Sequence, residues 1–298
     1  MEVVTIVIAG GSGFLGRRLV KHLEAEGHRA VVLSRTARDG AIQWNPDGSP
    51  GSLPKHLDGI DAVVNLAGEA LPDKRWTAER KEALRSSRVL ATRTLVRAIA
   101  TCAHPPRVFV SGSAIGYYGP RGDEPVTEST EPGSDFLARL CVDWEQEARI
   151  AESPRTRLVL VRTGLALAKD GGALQKMLLP FKLGLGATLG SGEQFMPWIH
   201  VDDWTAMVAW LIQDERAVGA FNATAPMPVT NRVFTRTLGQ VLRRPAVFQA
   251  PAFVLRAALG EMSTMLLTGQ RVLPAHAEHL GFRLTHRTLE PALRSLNL

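Results

Sequence analysis

Residues 6–16 read Ile-Val-Ile-Ala-Gly-Gly-Ser-Gly-Phe-Leu-Gly, and no other stretch limits the possible folds as strongly. Val3–Ala9 is an apolar run of strand length. Phe14, Leu15, Leu19 and Leu23 then recur at helical spacing through Gly13–Glu26. Gly10, Gly13 and Gly16 lie at the junction with G-x-x-G-x-x-G spacing. A strand turning tightly into a helix points the helix's unpaired N–H groups at one spot, and glycines let a pyrophosphate approach the backbone there. The spacing predicts a dinucleotide site built from Gly10, Gly13, Phe14, Leu15 and Gly16.

The first half of the chain repeats this alternation. Arg29–Ser34, Asp61–Ala67, Arg107–Ser111 and Arg157–Arg162 read as further strands, with helices over Thr77–Cys102 and Asp135–Glu152. Such alternation predicts an α/β fold, a Rossmann-type doubly wound parallel sheet covered on both faces. After about residue 165 the rhythm breaks. Glycines cluster at 171–192, Met196–Val201 leads into a helix over Asp202–Gln213, and Ala220–Ala223 is a last short strand. The division this suggests is a nucleotide-binding domain over 1–165 with 195–225 interleaved. A smaller α/β substrate region would take 166–194 and 226–298.

The end of the second strand selects the cofactor. It reads Val32-Leu33-Ser34-Arg35-Thr36, with no carboxylate to receive a ribose 2′-hydroxyl. Arg35 can pair with a 2′-phosphate and Ser34 can donate to it, which favours NADP(H) over NAD. Arg35 as a plain solvated loop residue is the alternative.

Composition narrows the class. Two cysteines, Cys102 and Cys141, exclude a disulfide scaffold, and no His/Asp/Glu/Cys group has metal-ligand spacing. The net charge is +6, but the basic residues are scattered, with no like-charge block, so nucleic acid is not expected as a partner. No run approaches the ~18 apolar residues of a membrane span. Met1–Thr5 lacks a basic, cleavable leader, so a cytoplasmic location without a membrane partner is expected.

With these residues in view, the chain resembles the extended short-chain dehydrogenases/reductases, the superfamily of sugar-nucleotide epimerases and dehydratases. The glycine spacing is that superfamily's. Asn65-Leu66-Ala67-Gly68 resembles the motif lying along adenine and ribose, which implies cofactor contacts for Leu66, Ala67 and Gly68. Ser111-Gly112-Ser113-Ala114 resembles the active-site serine segment. Ser111 and Arg162, at two strand ends, are assigned to the cofactor surface. Gly190-Ser191-Gly192 with Trp198-Ile199-His200-Val201-Asp202-Asp203 resembles the strand closing the substrate pocket, implying substrate-side places for Trp198 and His200. More narrowly, the chain is similar to an epimerase-like family of unknown substrate, sometimes labelled cell-division-inhibitor-like. That likeness rests on Asn65 to Glu69, Arg75-Trp76-Thr77, Ser113 to Gly119, Asp143-Trp144-Glu145 and the ending near Gly281-Phe282.

Such enzymes use a Tyr and a Lys four residues later on one helix face, beside a Ser. Here the chain departs. Its two tyrosines, Tyr117 and Tyr118, have no Lys four residues on. Leu140 and Trp144 occupy the corresponding places on the helix that should carry the pair. Ser113 remains, either as a donor to substrate or as a strand-end hydrogen-bonder. Tyr118 is the candidate for a relocated acid, and Tyr117 for the pocket wall. Glu69 and Trp76 follow the third strand and can reach a substrate, or can serve as a loop cap and an apolar anchor. His200 is a substrate contact or a structural hydrogen-bonder, and Asp202-Asp203 reads as a helix N-cap pair. Two readings follow: an NADP(H)-dependent epimerase or reductase acting on an unknown small molecule, or an NADPH-holding sensor without turnover. A monomer or a homodimer on the long helices fits both.

Overall fold

The computed structural model describes residues 3–298; Met1 and Glu2, part of the stretch read for a leader, lie outside them. Seven parallel strands form the central sheet: β1 (Thr5–Ala9), β2 (Arg29–Ser34), β3 (Ala41–Gln43), β4 (Ala62–Asn65), β5 (Val108–Ala114), β6 (Arg157–Thr163) and β7 (Gly219–Ala223). Their spatial order is β7-β6-β5-β4-β1-β2-β3. The order reverses between β1 and β4, where Ala9 pairs with Asn65 while Ala9 also pairs with Leu33 of β2. Connections leave this point in opposite directions and open a crevice at the strands' carboxyl ends.

Strand periodicity divides each strand between two cores. Ile6, Ile8, Val64, Val110 and Val161 face one buried cluster. Val7, Ala9, Val63, Phe109 and Leu160 face the other. Helix α1 (Phe14–Ala25) covers the first face through Leu19 and Leu23. Helices α2 (Ala78–Ala100) and α3 (Phe136–Arg149) cover the second through Leu95, Ile99 and Ala148. Thr77 caps α2 by accepting from Arg80 N, and Asp135 caps α3 by accepting from Ala138 N. The apolar residues of α2 that could have served a dimer, Leu84, Val89, Leu95, Val96 and Ile99, are all buried within one chain.

The later residues contain three more main helices: α4 (Gly172–Lys182), α5 (Val201–Gln213), α6 (Asn231–Leu242), followed by α7 (Ala252–Leu259). Helix α5 packs on the α1 face through Met207, Val208 and Ile212. Two-stranded pairs join the rest, among them Ala187–Leu189 with Phe248–Ala250 and Leu165–Leu167 with Trp198–His200. Strand β3 and helix α4 are absent from the pattern reading. Both are short or glycine-flanked, and β3 is a three-residue edge strand that needs only one packed face. The cap of α5 also differs from expectation. His200 accepts from Asp202 N, whereas Asp203 turns away and accepts from Thr285 N and His286 N.

Candidate active site

The glycine turn has the geometry that an anion needs. Gly10 has φ 79°, and a Cβ there would lie 2.6 Å from the Leu66 carbonyl. A Cβ on Gly16 would lie 2.2 Å from Gly10 O, so this position excludes every side chain. Gly13 N donates to Gly10 O at 2.9 Å. The first turn of α1 carries no side-chain cap and no acidic residue, so its N–H groups stay available. Leu15 is half-buried beside the core, and Phe14 lies against Gly171, tying the turn to the loop before α4.

The loop after β4 lies over this turn. Leu66 N donates to Ala9 O, and the buried Asn65 side chain accepts from Ala67 N while donating to Thr92. Leu66 and Ala67 are half-buried and Gly68 is exposed. Arg88 backs Gly68, donating to Leu84 O and Glu69 O, with burial as the main influence lowering its pKa. Beyond β2, Ser34 Oγ accepts from Thr36 N at 3.3 Å. Arg35 is exposed, makes no ion pair among the described residues, and rims a concavity of ~780 Å³. Trp44, Ser52 and His56 line the same concavity. Pattern reading missed them because they follow an edge strand that it did not find.

Beyond β5 the residues form a closed polar network. Ser113 is buried and its hydroxyl donates to Glu145 Oε1 at 2.7 Å. Arg162 donates through Nε and Nη2 to the two oxygens of Glu145, both at 2.8 Å. Its Nη1 donates to the Tyr118 hydroxyl at 2.9 Å, which in turn donates to Asn222 Oδ1 at 2.7 Å. Burial alone would lower the Arg162 pKa, but its bonds to Glu145 outweigh that and the net shift is upward. Burial pushes the Tyr118 phenol up to about 12.

Several expected site residues therefore sit elsewhere. Tyr118 is fully buried and both sides of its hydroxyl are engaged, a poor position for a proton donor to substrate. Arg162 is 2% exposed and committed to Glu145 rather than to a cofactor surface. Ser111 is buried, its hydroxyl donating to Gly112 O. Trp198 is a core side chain packed in the cluster with Phe181 and Phe234, its indole donating to Met227 O. His200 is 3% exposed, stacked on His286 at 3.8 Å, and its pKa is lowered chiefly by burial. In each case the partner lies at least 17 residues away in sequence, beyond the reach of local pattern, except the Ser111–Gly112 bond and the His200 cap.

The remaining candidates do gather at the carboxyl ends of β4 and β5. Glu69 is exposed and ion-paired to Arg80. Trp76 is mostly buried, edge-on to Phe136 at 5.2 Å, and its indole donates to Leu71 O. Tyr117 is half-buried with its ring 3.5 Å from the Arg162 guanidinium carbon. Leu140 and Trp144, expected from sequence at the places of the absent Tyr and Lys, are both buried. Cys141 lies beside them with its thiol donating to Ala114 O and pushed up by burial to about 12, which makes it unreactive. Among the described residues no group of three or more His, Cys, Asp or Glu side chains could hold a metal. No helix there is long and apolar enough to cross a membrane.

A parallel sheet with the 3-2-1-4-5-6-7 order and a bare glycine turn at its switch point defines a Rossmann-type fold. The chain belongs to the NAD-dependent epimerase/dehydratase family, whose model matches residues 6–223; a domain of unknown function, DUF1731, matches residues 250–296. It is 39% identical to the epimerase family protein SDR39U1 of Bos taurus over 98% of this chain and 99% of that protein. An epimerase family protein of Mycobacterium tuberculosis is also 39% identical, over 98% of this chain and 97% of the relative. The crystal structure of human SDR39U1 (isoform 2) with NADPH superimposes with TM-score 0.91 at 34% identity, covering 98% of both chains.

Proposed function

We propose that this chain binds NADP(H) across the Gly10–Gly16 turn and Arg35 and uses it as an epimerase or reductase on a small molecule, by a route without a Tyr-x-x-x-Lys pair. The observation that carries the reading is Arg35. It is a guanidinium without an ion pair among the described residues, beside an open concavity and one sheet position from the glycine turn. A 2′-phosphate satisfies it, and Ser34 adds a hydroxyl. The NADPH in the human SDR39U1 structure supports the same cofactor. When bound, the cofactor supplies or accepts a hydride.

In this reading the helix α1 N-terminus holds the pyrophosphate, and Leu66, Ala67 and Gly68 lie along the adenosine half. Glu69, Trp76 and Tyr117 face the substrate, with residues 166–194 and 226–298 completing its side of the cleft. Tyr117 is the phenol placed to move a proton, since it is half-buried while Tyr118 is enclosed. Ser113 acts through Glu145 as a positioning residue, because its hydroxyl is already donated there.

The test is NADPH oxidation and NADP⁺ reduction across carbonyl compounds and sugar nucleotides, with Tyr117→Phe alongside wild type. Turnover that falls on that substitution supports the reading. A second reading, a protein that holds NADPH and signals without turnover, is favoured by the enclosed Tyr118 and by apolar Leu140 and Trp144 in the catalytic places. Tight NADPH binding with no oxidation by any substrate class would select it.

A further inference from the structure

The substrate-side region contrasts with the rest of the chain in both charge and exposure. Residues 171–192 and 231–260 contain seven Lys and Arg residues and no Asp or Glu. Arg232 pairs with Glu193 just outside the first segment. Lys182, Arg236, Arg243, Arg244 and Arg256 form no ion pair among the described residues. The same segments hold most of the large apolar side chains that stand in water. Val247 is 80% exposed, Phe253 72% and Leu183 66%.

These side chains lie along one continuous stretch of structure, joined by strand pairing and then by the chain itself. Ala187 pairs with Phe248 in a parallel ladder, which brings exposed Leu185 alongside the Ala246–Val247 segment. A Cβ on Gly184 would lie 3.8 Å from Pro245, which sets Leu183 beside Arg244 and Val247. Phe248 runs through Pro251 into α7, a helix with no buried residue at all, exposing Phe253, Val254 and Arg256. A groove of ~400 Å³ next to Val247 is lined by Arg236, Arg243 and Arg244.

Exposed aromatic and aliphatic side chains beside cations that form no ion pair among the described residues match the requirements of a lipid headgroup boundary: apolar groups enter the acyl edge and cations meet the phosphates. We propose that this face, comprising the end of α4, the 243–248 segment and α7, docks the protein peripherally on an anionic lipid bilayer. The charge pattern decides between occupants. In a two-fold contact between copies, this cationic rim would meet itself and repel. At 72–80% exposure, Phe253 and Val247 stand outside any cleft that a small ligand would fill. Peripheral docking needs no spanning segment, so it is compatible with the absence of a long apolar helix among the described residues. It departs from the expectation, drawn from the lack of a long apolar run and of a basic leader, that the chain has no membrane partner.

Flotation of the full chain with phosphatidylcholine vesicles, with and without roughly 30 mol% phosphatidylglycerol, tests this. Binding is expected only with phosphatidylglycerol, and it should fall in high salt. Arg243→Glu with Arg244→Glu should weaken it by roughly fivefold or more per charge changed. Phe253→Glu should weaken it too, while NADPH affinity and the thermal midpoint stay at the wild-type values. A Phe253→Trp probe should shift its emission to the blue on anionic vesicles. Equal partition onto both vesicle types, or none onto either, overturns the proposal. A dimer in sedimentation velocity that Phe253→Glu dissociates assigns the face to a second copy and also overturns it.

Discussion

Arg162 carries its charge almost fully out of water, and Glu145, Tyr118 and the Glu128 carbonyl together replace the solvent it has lost. Such a pair contributes little against a packed apolar alternative, but removing one partner strands the other. Glu145→Ala should therefore destabilise the protein by about 3–5 kcal/mol in denaturant titration. Tyr118→Phe leaves Asn222 Oδ1 without its donor and one Arg162 N–H without its acceptor. It should cost about 1–3 kcal/mol in the same titration and leave NADPH affinity unchanged, which separates a structural phenol from a catalytic one. Tyr118 attracts notice in sequence because the chain has only two tyrosines. What it does is set by Arg162 and Asn222, 44 and 104 residues away, and a reading of local pattern cannot place them.

At the scale of elements, legibility follows the density of local signal. Strand β2 matches its reading at both ends, and α1 to within a residue, because α1 is bounded by Gly13 and Gly27 and both elements are fixed by periodicity. Strand β5 runs to Ala114, past the expected Ser111, because Gly112, Ser113 and Ala114 go on pairing with Val161, Arg162 and Thr163 of β6. The β1–α1 junction makes its own prediction. Gly16→Ala drives a methyl group into Gly10 O. The turn must shift, and NADPH affinity measured by calorimetry should fall at least tenfold, the equivalent of about 1.4 kcal/mol. The far end of α5 gives a pH prediction. Asp214 lies at the helix C-terminus, and hydrogen bonds from Arg216 hold its carboxyl down at about 2. A folded pKa below the ordinary carboxylate value adds stability above roughly pH 4, lost as pH falls towards 2. Arg216 is well exposed, so the contribution is screened, about 0.5–1 kcal/mol. Asp214→Asn should lose less stability than wild type between pH 4 and 2, measured by thermal unfolding.

Over the whole molecule, the parallel sheet and the later segments differ in how local their signals are. The sheet places a bare glycine turn, an overlying β4 loop and Arg35 at one topological switch point. These parts lie within the first 70 residues and follow strand–turn–helix signals, so the glycine turn and the strands around it were legible from sequence, whereas the burial of Ser111 and Arg162 was not. The proposed substrate side was less legible. The residues assigned to it come from segments scattered between Glu69 and Met262, joined by contacts such as Arg75 to Ala257 O and Lys81 to Glu261. The central claim is therefore best tested at Arg35, whose substitution leaves the fold's packing intact. Calorimetric affinities for NADPH and NADH should be compared in wild type and Arg35→Ala. The account predicts a loss of about 1.5–3 kcal/mol for NADPH in the variant, with NADH unchanged. Equal losses for both nucleotides, or no loss for either, would contradict it.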